Sequence, residues 1–91
     1  MYLHLGQEIV VKLDNVIGIF DLEKSSLSKD TKHFLSNATK KNQVITVSYE
    51  MPKSFVVCCD KNVTKVYISQ ISCATLKKRA THSKQRFIIQ E

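Results

Sequence analysis

The sequence predicts a small single α+β domain, with an antiparallel or mixed β-sheet and two α-helices, of which the second is short and basic. Three observations support this fold class. Short apolar stretches with the two-residue period of strands occupy residues 3–20 and 43–68. The spacing of apolar residues changes to the 3.6-residue period of helices over residues 25–41 and again over 72–79. The 91 residues, of which 43% are hydrophobic and 24% charged, suit one globular domain.

The first third of the chain is expected to be extended. Residues 3–5 and 8–13 form short strand candidates that are separated by Gly6. Residues 16–20 form a third strand that is apolar on both faces, because the side chains of adjacent residues alternate. Such a strand either lies at the centre of its sheet or is half covered by a partner chain. The second alternative makes the following residues a candidate oligomer interface: Ile17, Ile19 and Phe20.

The remaining elements follow from changes of period and from turn residues. The helix over 25–41 has Leu27, Phe34, Leu35 and Ala38 on one face, with Ser25, Ser26 or Ser28 as its N-cap. Residues 43–49, 54–59 and 63–68 read as an antiparallel three-stranded meander with tight connections at 50–53 and 60–62. A short helix over 72–79 completes a domain of residues 1–80. Residues 81–91 are polar and basic, forming either a mobile tail or a docked edge strand that includes Phe87-Ile88-Ile89.

The distribution of charge is the strongest functional signal. The formal net charge is +6, and residues 61–90 contain seven basic residues but no acidic one. Such a run is either a solvated helix face or a surface that binds phosphate groups. For the helix end at 77–79, cations near the carbonyl terminus of the helix dipole are a purely structural alternative. The candidate DNA-binding residues are Lys53, Lys77, Lys78, Arg79 and Lys84.

The sequence offers little to catalysis or to metal binding. Two glycines cannot build a glycine-rich phosphate loop, and no spacing marks a nucleophile or a set of metal ligands. An odd number of cysteines with an adjacent pair, Cys58 and Cys59, indicates buried, reduced thiols rather than a disulfide framework. We therefore expect a cytoplasmic, non-enzymatic protein with no cofactor and no metal. No apolar stretch is long enough to span a membrane, and the N-terminal residues do not resemble a secretory signal.

Several short motifs resemble one known family in their order and spacing. They are Tyr2-Leu3-His4-Leu5-Gly6, Val16-Ile17-Gly18-Ile19-Phe20-Asp21, Pro52-Lys53-Ser54, Ile68-Ser69, and Ser72-x-x-Thr75-Leu76-x-Lys78-Arg79. Over about residues 1–80 the chain is similar to the extracellular matrix regulatory protein B family. This resemblance implies a bacterial cytoplasmic protein whose sister A family consists of oligomeric, DNA-binding regulators of biofilm matrix genes.

One departure from the sister family leaves two functions open. The A family is rich in arginine at the turn that corresponds to residues 50–53, where this chain has Met51 and Pro52 and keeps only Lys53. Methionine and proline cannot replace the bidentate fork of arginine. The first hypothesis is an oligomeric DNA-binding transcription regulator that contacts mainly phosphates. The alternative is an interaction partner of an A-type regulator with little DNA affinity of its own.

Overall fold

Along the part of the chain that the structure describes, three strands precede the first α-helix, and three more strands precede the second. The protein was analysed as a computed structural model, which describes the backbone of residues 1–22 and 28–90 and their side chains as far as Thr81. The described elements are β1 (Tyr2–Gly6), β2 (Ile9–Lys12), a 3-10 turn (Leu13–Asn15), β3 (Val16–Asp21), α1 (Lys29–Lys40), β4 (Val44–Thr46), β5 (Ser54–Asp60), β6 (Val63–Ser69) and α2 (Cys73–Gln90). The predicted α+β class is confirmed.

Strand β5 is the centre of the molecule. It pairs antiparallel with β3 on one edge and with β6 on the other, in the sheet order β3-β5-β6-β4. Its side chains alternate between two apolar clusters, one on each face of the sheet. Val56 and Cys58 pack with the β1-β2 hairpin and α2, whereas Phe55 and Val57 pack with α1. Because β5 is covered on both faces, it reads in the sequence as one continuous apolar run.

The predicted meander is wrong for its first strand. Strand β4 does not pair with β5 but runs parallel to β6, with Val44 opposite Val66. The edge of β5 that the meander would need is occupied by β3, where Phe20 lies opposite Phe55. Residues 47–53 therefore cross the end of β6, and the backbone N–H of Lys53 donates to a β6 carbonyl at 2.9 Å. The β5-β6 hairpin itself forms as predicted.

Strand β3 lies at the edge of the sheet, so the first of the two alternatives, a central strand, is wrong. Its pairing with β5 shifts between Val16, which is opposite Cys58, and Gly18, which is opposite Val57. Ile17 is thus the extra residue of a β-bulge. The bulge reverses the alternation of side chains, so Ile19 turns toward the cluster that contains α2.

Helix α2 is longer than the sequence predicts. Its backbone continues to Gln90 instead of ending at Arg79, so a docked edge strand over 81–91 is wrong for the described residues. The segment contains no glycine or proline, and its lysine, glutamine and arginine residues favour a helix. The side chains of Phe87-Ile88-Ile89 lie outside the described residues, and the domain boundary at residue 80 stays a prediction.

Helix α1 begins at Lys29 with Ser28 as its N-cap. The Ser28 hydroxyl accepts a hydrogen bond from the backbone N–H of Thr31 at 3.1 Å. The alternative caps Ser25 and Ser26 and the face residue Leu27 fall outside the described residues. Ala38 is the buried contact of this helix with the sheet.

Candidate nucleic-acid interface

The first turns of α2 present the basic triplet Lys77-Lys78-Arg79 at the surface. Ser72 precedes the helix, and its hydroxyl accepts a hydrogen bond from the backbone N–H of Thr75 at 3.2 Å. Cys73 and Leu76 anchor the helix by burial against the hairpin and the sheet. All three basic side chains are exposed, because they occupy the helix surface that these anchors leave free.

The triplet is spread around the helix, since adjacent residues are 100° apart. Lys77 borders a groove beside β3, and Arg79 lies on the opposite flank, where its guanidinium donates to the carbonyl of His4 at 3.3 Å. Lys78 lies between these flanks on the outward side. The three are the fifth to seventh of the 18 residues of α2. The helix-dipole explanation is therefore wrong, because the carbonyl terminus of the helix lies more than two turns further on.

Lys53 lies in a loop, and both its backbone N–H and its backbone carbonyl form hydrogen bonds. Its N–H donates to the carbonyl of Ser69 at 2.9 Å, and its carbonyl accepts from the N–H of Leu22 at 2.9 Å. The side chain is exposed, at the end of the sheet where β3 and β6 end and β5 begins. The loop thus presents one cation from a fixed backbone.

Two buried serines connect this end of the sheet to α2. Ser69 donates to the carbonyl of Leu5 at 2.7 Å and accepts from the N–H of Ile71 at 3.0 Å. Ser54 donates to the carbonyl of Ile71 at 2.7 Å. These bonds fix the connection between β6 and α2, so Lys53 and the start of α2 belong to one rigid frame. The side chain of Lys84, the fifth predicted DNA-binding residue, lies outside the described residues.

The three predicted interface residues divide between the surface and the core. Ile17 is 66% exposed and Phe20 is 44% exposed, whereas Ile19 is half-buried and packs on the cluster under α2. The ring of Phe20 stacks on Phe55 with centroids 4.8 Å apart and an angle of 17° between the planes. Ile17 and Phe20 line an apolar groove of about 300 Å³ between β3 and α1, which Phe34 also borders.

Gly18 makes the position of the Phe20 ring possible. An ideal Cβ on Gly18 would lie 2.6 Å from two atoms of that ring, which is closer than carbon atoms can approach. The ring therefore covers the glycine, and the glycine in turn leaves room for the stack on β5. This packing keeps an aromatic surface at the free edge of the sheet.

Ile17 also lies beside the basic surface. It lines a second groove, of about 270 Å³, together with Lys77 and residues of β3 and α2. The structure thus brings one predicted interface residue and one predicted DNA-binding residue to the same groove. No sequence period indicates this juxtaposition, because the two residues are 60 positions apart and meet only through the packing of α2 on β3.

Two exposed side chains of the 47–53 connection were not among the predicted site residues. Tyr49 is 98% exposed and Met51 is 78% exposed, and both precede Lys53. The sequence predicts that Tyr49 ends the strand over 43–49 and that Met51 lies in the tight connection at 50–53. The loop that crosses β6 places both in solvent instead.

The cysteines are free thiols within an apolar environment. Cys58 and Cys73 are buried and Cys59 is half-buried. Burial raises the pKa of the Cys58 thiol to about 11, which keeps it protonated at neutral pH. Within residues 1–22 and 28–81, no three His, Cys, Asp or Glu side chains are grouped as a metal site. Among the described residues, no helix has the length and apolar character that crossing a bilayer requires.

Comparison with known proteins gives two matches. A family model described as extracellular matrix regulatory protein A-like (RemA-like) matches residues 2–80. The chain is also 40% identical over 80 residues to extracellular matrix regulatory protein B of Bacillus subtilis (strain 168). That alignment covers 88% of this chain and 90% of the relative. Both matches include Lys53, the bulged strand β3 and the basic start of α2.

Proposed function

The chain belongs to the extracellular matrix regulatory protein A-like family, and on that premise we propose that it is an oligomeric transcription regulator that binds DNA and controls genes of the extracellular matrix and of biofilm formation. The name of its Bacillus subtilis relative supports a role in matrix regulation. The observation that carries the DNA-binding part is the exposed set of cations, Lys53, Lys77, Lys78 and Arg79, in a chain of net charge +6. DNA would be met in the cytoplasm, and no catalytic step or cofactor enters the proposal.

Binding is proposed to rest on phosphate contacts. Three of the four cations are lysines, whose ammonium group binds a phosphate as a point charge and lacks the rigid planar fork of arginine. Arg79 is the exception, but its guanidinium already donates to the His4 carbonyl. Such a surface fixes the position of DNA without reading its sequence, and its affinity depends steeply on salt.

The free edge of β3 is proposed as the oligomer interface. An edge strand with exposed apolar side chains is a ready site for a second copy of the chain, and Ile17 and Phe20 supply such side chains. A closed oligomer would repeat the basic surface of each protomer. Several weak phosphate contacts would then act together, which raises the overall affinity without new contacts.

The alternative function is a protein partner of an A-type regulator with little DNA affinity. Its support is the exposure of Tyr49 and Met51 shortly before Lys53. Met51 stands in the turn where the sister A family is rich in arginine. Methionine and aromatic side chains are enriched in protein–protein interfaces. This loop therefore suits an apolar partner better than a phosphate backbone.

Fluorescence anisotropy with duplex DNA at about 50 and 200 mM salt tests the first function. Sedimentation velocity of the same samples gives the oligomeric mass. The proposal requires binding at the lower salt that weakens by orders of magnitude at the higher salt. An affinity that does not change with salt would exclude it. Size-exclusion chromatography with a purified A-type regulator tests the alternative, which requires a stable shared peak.

A further inference from the structure

A second basic site lies away from the proposed DNA surface. A groove of about 500 Å³ opens between the β1-β2 hairpin and the distal end of the β5-β6 hairpin. Its lining includes the following polar residues: Lys12, Lys61, Lys65, Tyr2, Tyr67 and Asp60. None of Lys53, Lys77, Lys78 and Arg79 borders it. A volume of this size is typical of small-molecule sites.

The charge of the groove is unbalanced. Its lining contains three lysines and one carboxylate residue, Asp60, which leaves two net positive charges. Within the described side chains, as far as Thr81, none of the three lysines takes part in a side-chain hydrogen bond or an ion pair. Like charges that gather without partners destabilise the compact state. A bound anion would remove this cost, because it would supply the missing counter-charge.

The backbone fixes these cations from two directions. Lys61 and Asn62 form the two-residue turn of the β5-β6 hairpin, with φ values of 50° and 66° that are typical of a type I′ turn. Lys65 lies opposite the buried Cys58, on the sheet face that turns toward the β1-β2 hairpin. Lys12 ends β2 and lies opposite Tyr2. The anion site therefore has cations on both walls.

The groove also offers apolar and aromatic surface. Cys58 and Val11 are buried in its floor. The ring of Tyr2 is largely exposed, and Tyr67 is half-buried. Burial raises the pKa of the Tyr67 phenol, which therefore stays a neutral hydrogen-bond donor. A planar ring can stack on tyrosine while a phosphate group meets the lysines.

We propose that this groove binds a small phosphate ester with a planar ring, of the nucleoside monophosphate class. Lys12, Lys61 and Lys65 hold the phosphate, and the tyrosine side of the groove holds the ring. The site does not depend on DNA binding, because the two sets of cations share no residue.

The test is an NMR titration of the 15N-labelled full chain with guanosine and adenosine monophosphate, in parallel with inorganic phosphate and with the nucleosides alone. We expect saturable shifts of the amides of residues 10–12 and 61–67, with a Kd at or below about 1 mM for the nucleotides. The nucleosides and inorganic phosphate are each expected to bind at least about tenfold more weakly. Absence of saturation with either nucleotide overturns the proposal, as does inorganic phosphate that binds as tightly as the nucleotides.

Variants separate this site from general charge and from DNA binding. Lys65→Gln is expected to weaken nucleotide binding at least about tenfold. Lys32→Gln removes the same charge from an exposed position of α1 and is expected to change nothing. Equal losses in both variants overturn the proposal. So does duplex DNA that shifts the same amides and displaces the nucleotide, since the groove would then belong to the nucleic-acid surface.

Discussion

Replacing Lys77 and Lys78 by alanine is expected to weaken DNA binding by an amount that depends on salt in a calculable way. Each lysine that neutralises one phosphate contributes about −0.9 to the slope of log K against log salt. Two such contacts make the slope of the double variant shallower by about 1.8 for each protomer that contacts DNA. If the electrostatic contribution vanishes near 1 M salt, each protomer that contacts DNA accounts for a loss of about 200-fold at 50 mM and about 20-fold at 200 mM.

Lys77 and Lys78 are better positions for these alanine substitutions than Arg79, because their side chains make fewer contacts. Lys77 and Lys78 are exposed, and within residues 1–22 and 28–81 neither side chain forms a hydrogen bond or an ion pair. Arg79 donates to the His4 carbonyl at 3.3 Å, so its removal would also loosen the contact between α2 and the hairpin. Alanine is the best helix-forming residue, and the double variant is therefore expected to keep the helix and the melting temperature.

The assay is fluorescence anisotropy of one duplex across several salt concentrations, with circular dichroism as the check on folding. The matched control is Lys29→Ala with Lys32→Ala, which removes two charges from exposed positions of α1. The control is expected to change the slope far less than the α2 variant. An equal change in both variants would refute the reasoning, because the effect would then come from net charge and not from a phosphate-binding surface. An unchanged slope in the α2 variant would refute it as well.

Four further predictions concern the edge strand β3, the buried Ser69 and the Cys58 thiol. Ile17→Ser should lower the mass measured by sedimentation velocity while circular dichroism still shows a folded protomer, because this side chain is 66% exposed in the single chain. An unchanged mass contradicts the interface. Gly18→Ala should displace the Phe20 ring, and Ser69→Ala should leave the buried carbonyl of Leu5 without its donor. Each is expected to lower the free energy of unfolding, measured in urea, by about 1–3 kcal/mol. Above pH 9 the unfolded Cys58 thiol ionises while the folded thiol, with a pKa of about 11, stays protonated. Stability should therefore fall as the pH rises between these values, and Cys58→Val should show a smaller loss, because the raised pKa of Tyr67 contributes in the same direction.

Local patterns predicted the elements better than they predicted the strand neighbours. The β5-β6 hairpin follows from two apolar runs and a turn with Lys61 and Asn62, all within 16 residues. The partner of β4 does not follow from any local pattern. It depends on which edge of β5 is free, and that edge is taken by β3 from much earlier in the chain. A parallel pair also requires a crossing connection, and residues 47–53 have no strong signal for one.

The side chains of β3 do not alternate strictly between the two faces of the sheet, and Gly18 is the sequence signal for this irregularity. Strict alternation from Val16 to Phe20 would place Ile17 and Ile19 on the same face of the sheet, but the bulge at Ile17 separates them. Glycine within an apolar strand is a known sign of a bulge or of a close approach, and Gly18 has both roles here. Weighing that signal would have assigned Ile19 to the core and Ile17 to the surface.

The groove shared by Ile17 and Lys77 places the proposed oligomer interface next to the proposed DNA surface. A second copy that covers the edge of β3 would come to lie beside Lys77, because α2 packs along the same strand. A substitution at Ile17 therefore removes a neighbour of the basic surface together with the interface. Lys78 lies on the outward side of the helix and does not line that groove. A Lys78 variant that keeps its oligomeric mass but loses DNA affinity would therefore have lost only phosphate contacts. The same loss in an Ile17 variant could come from the loss of the oligomer and of phosphate contacts together.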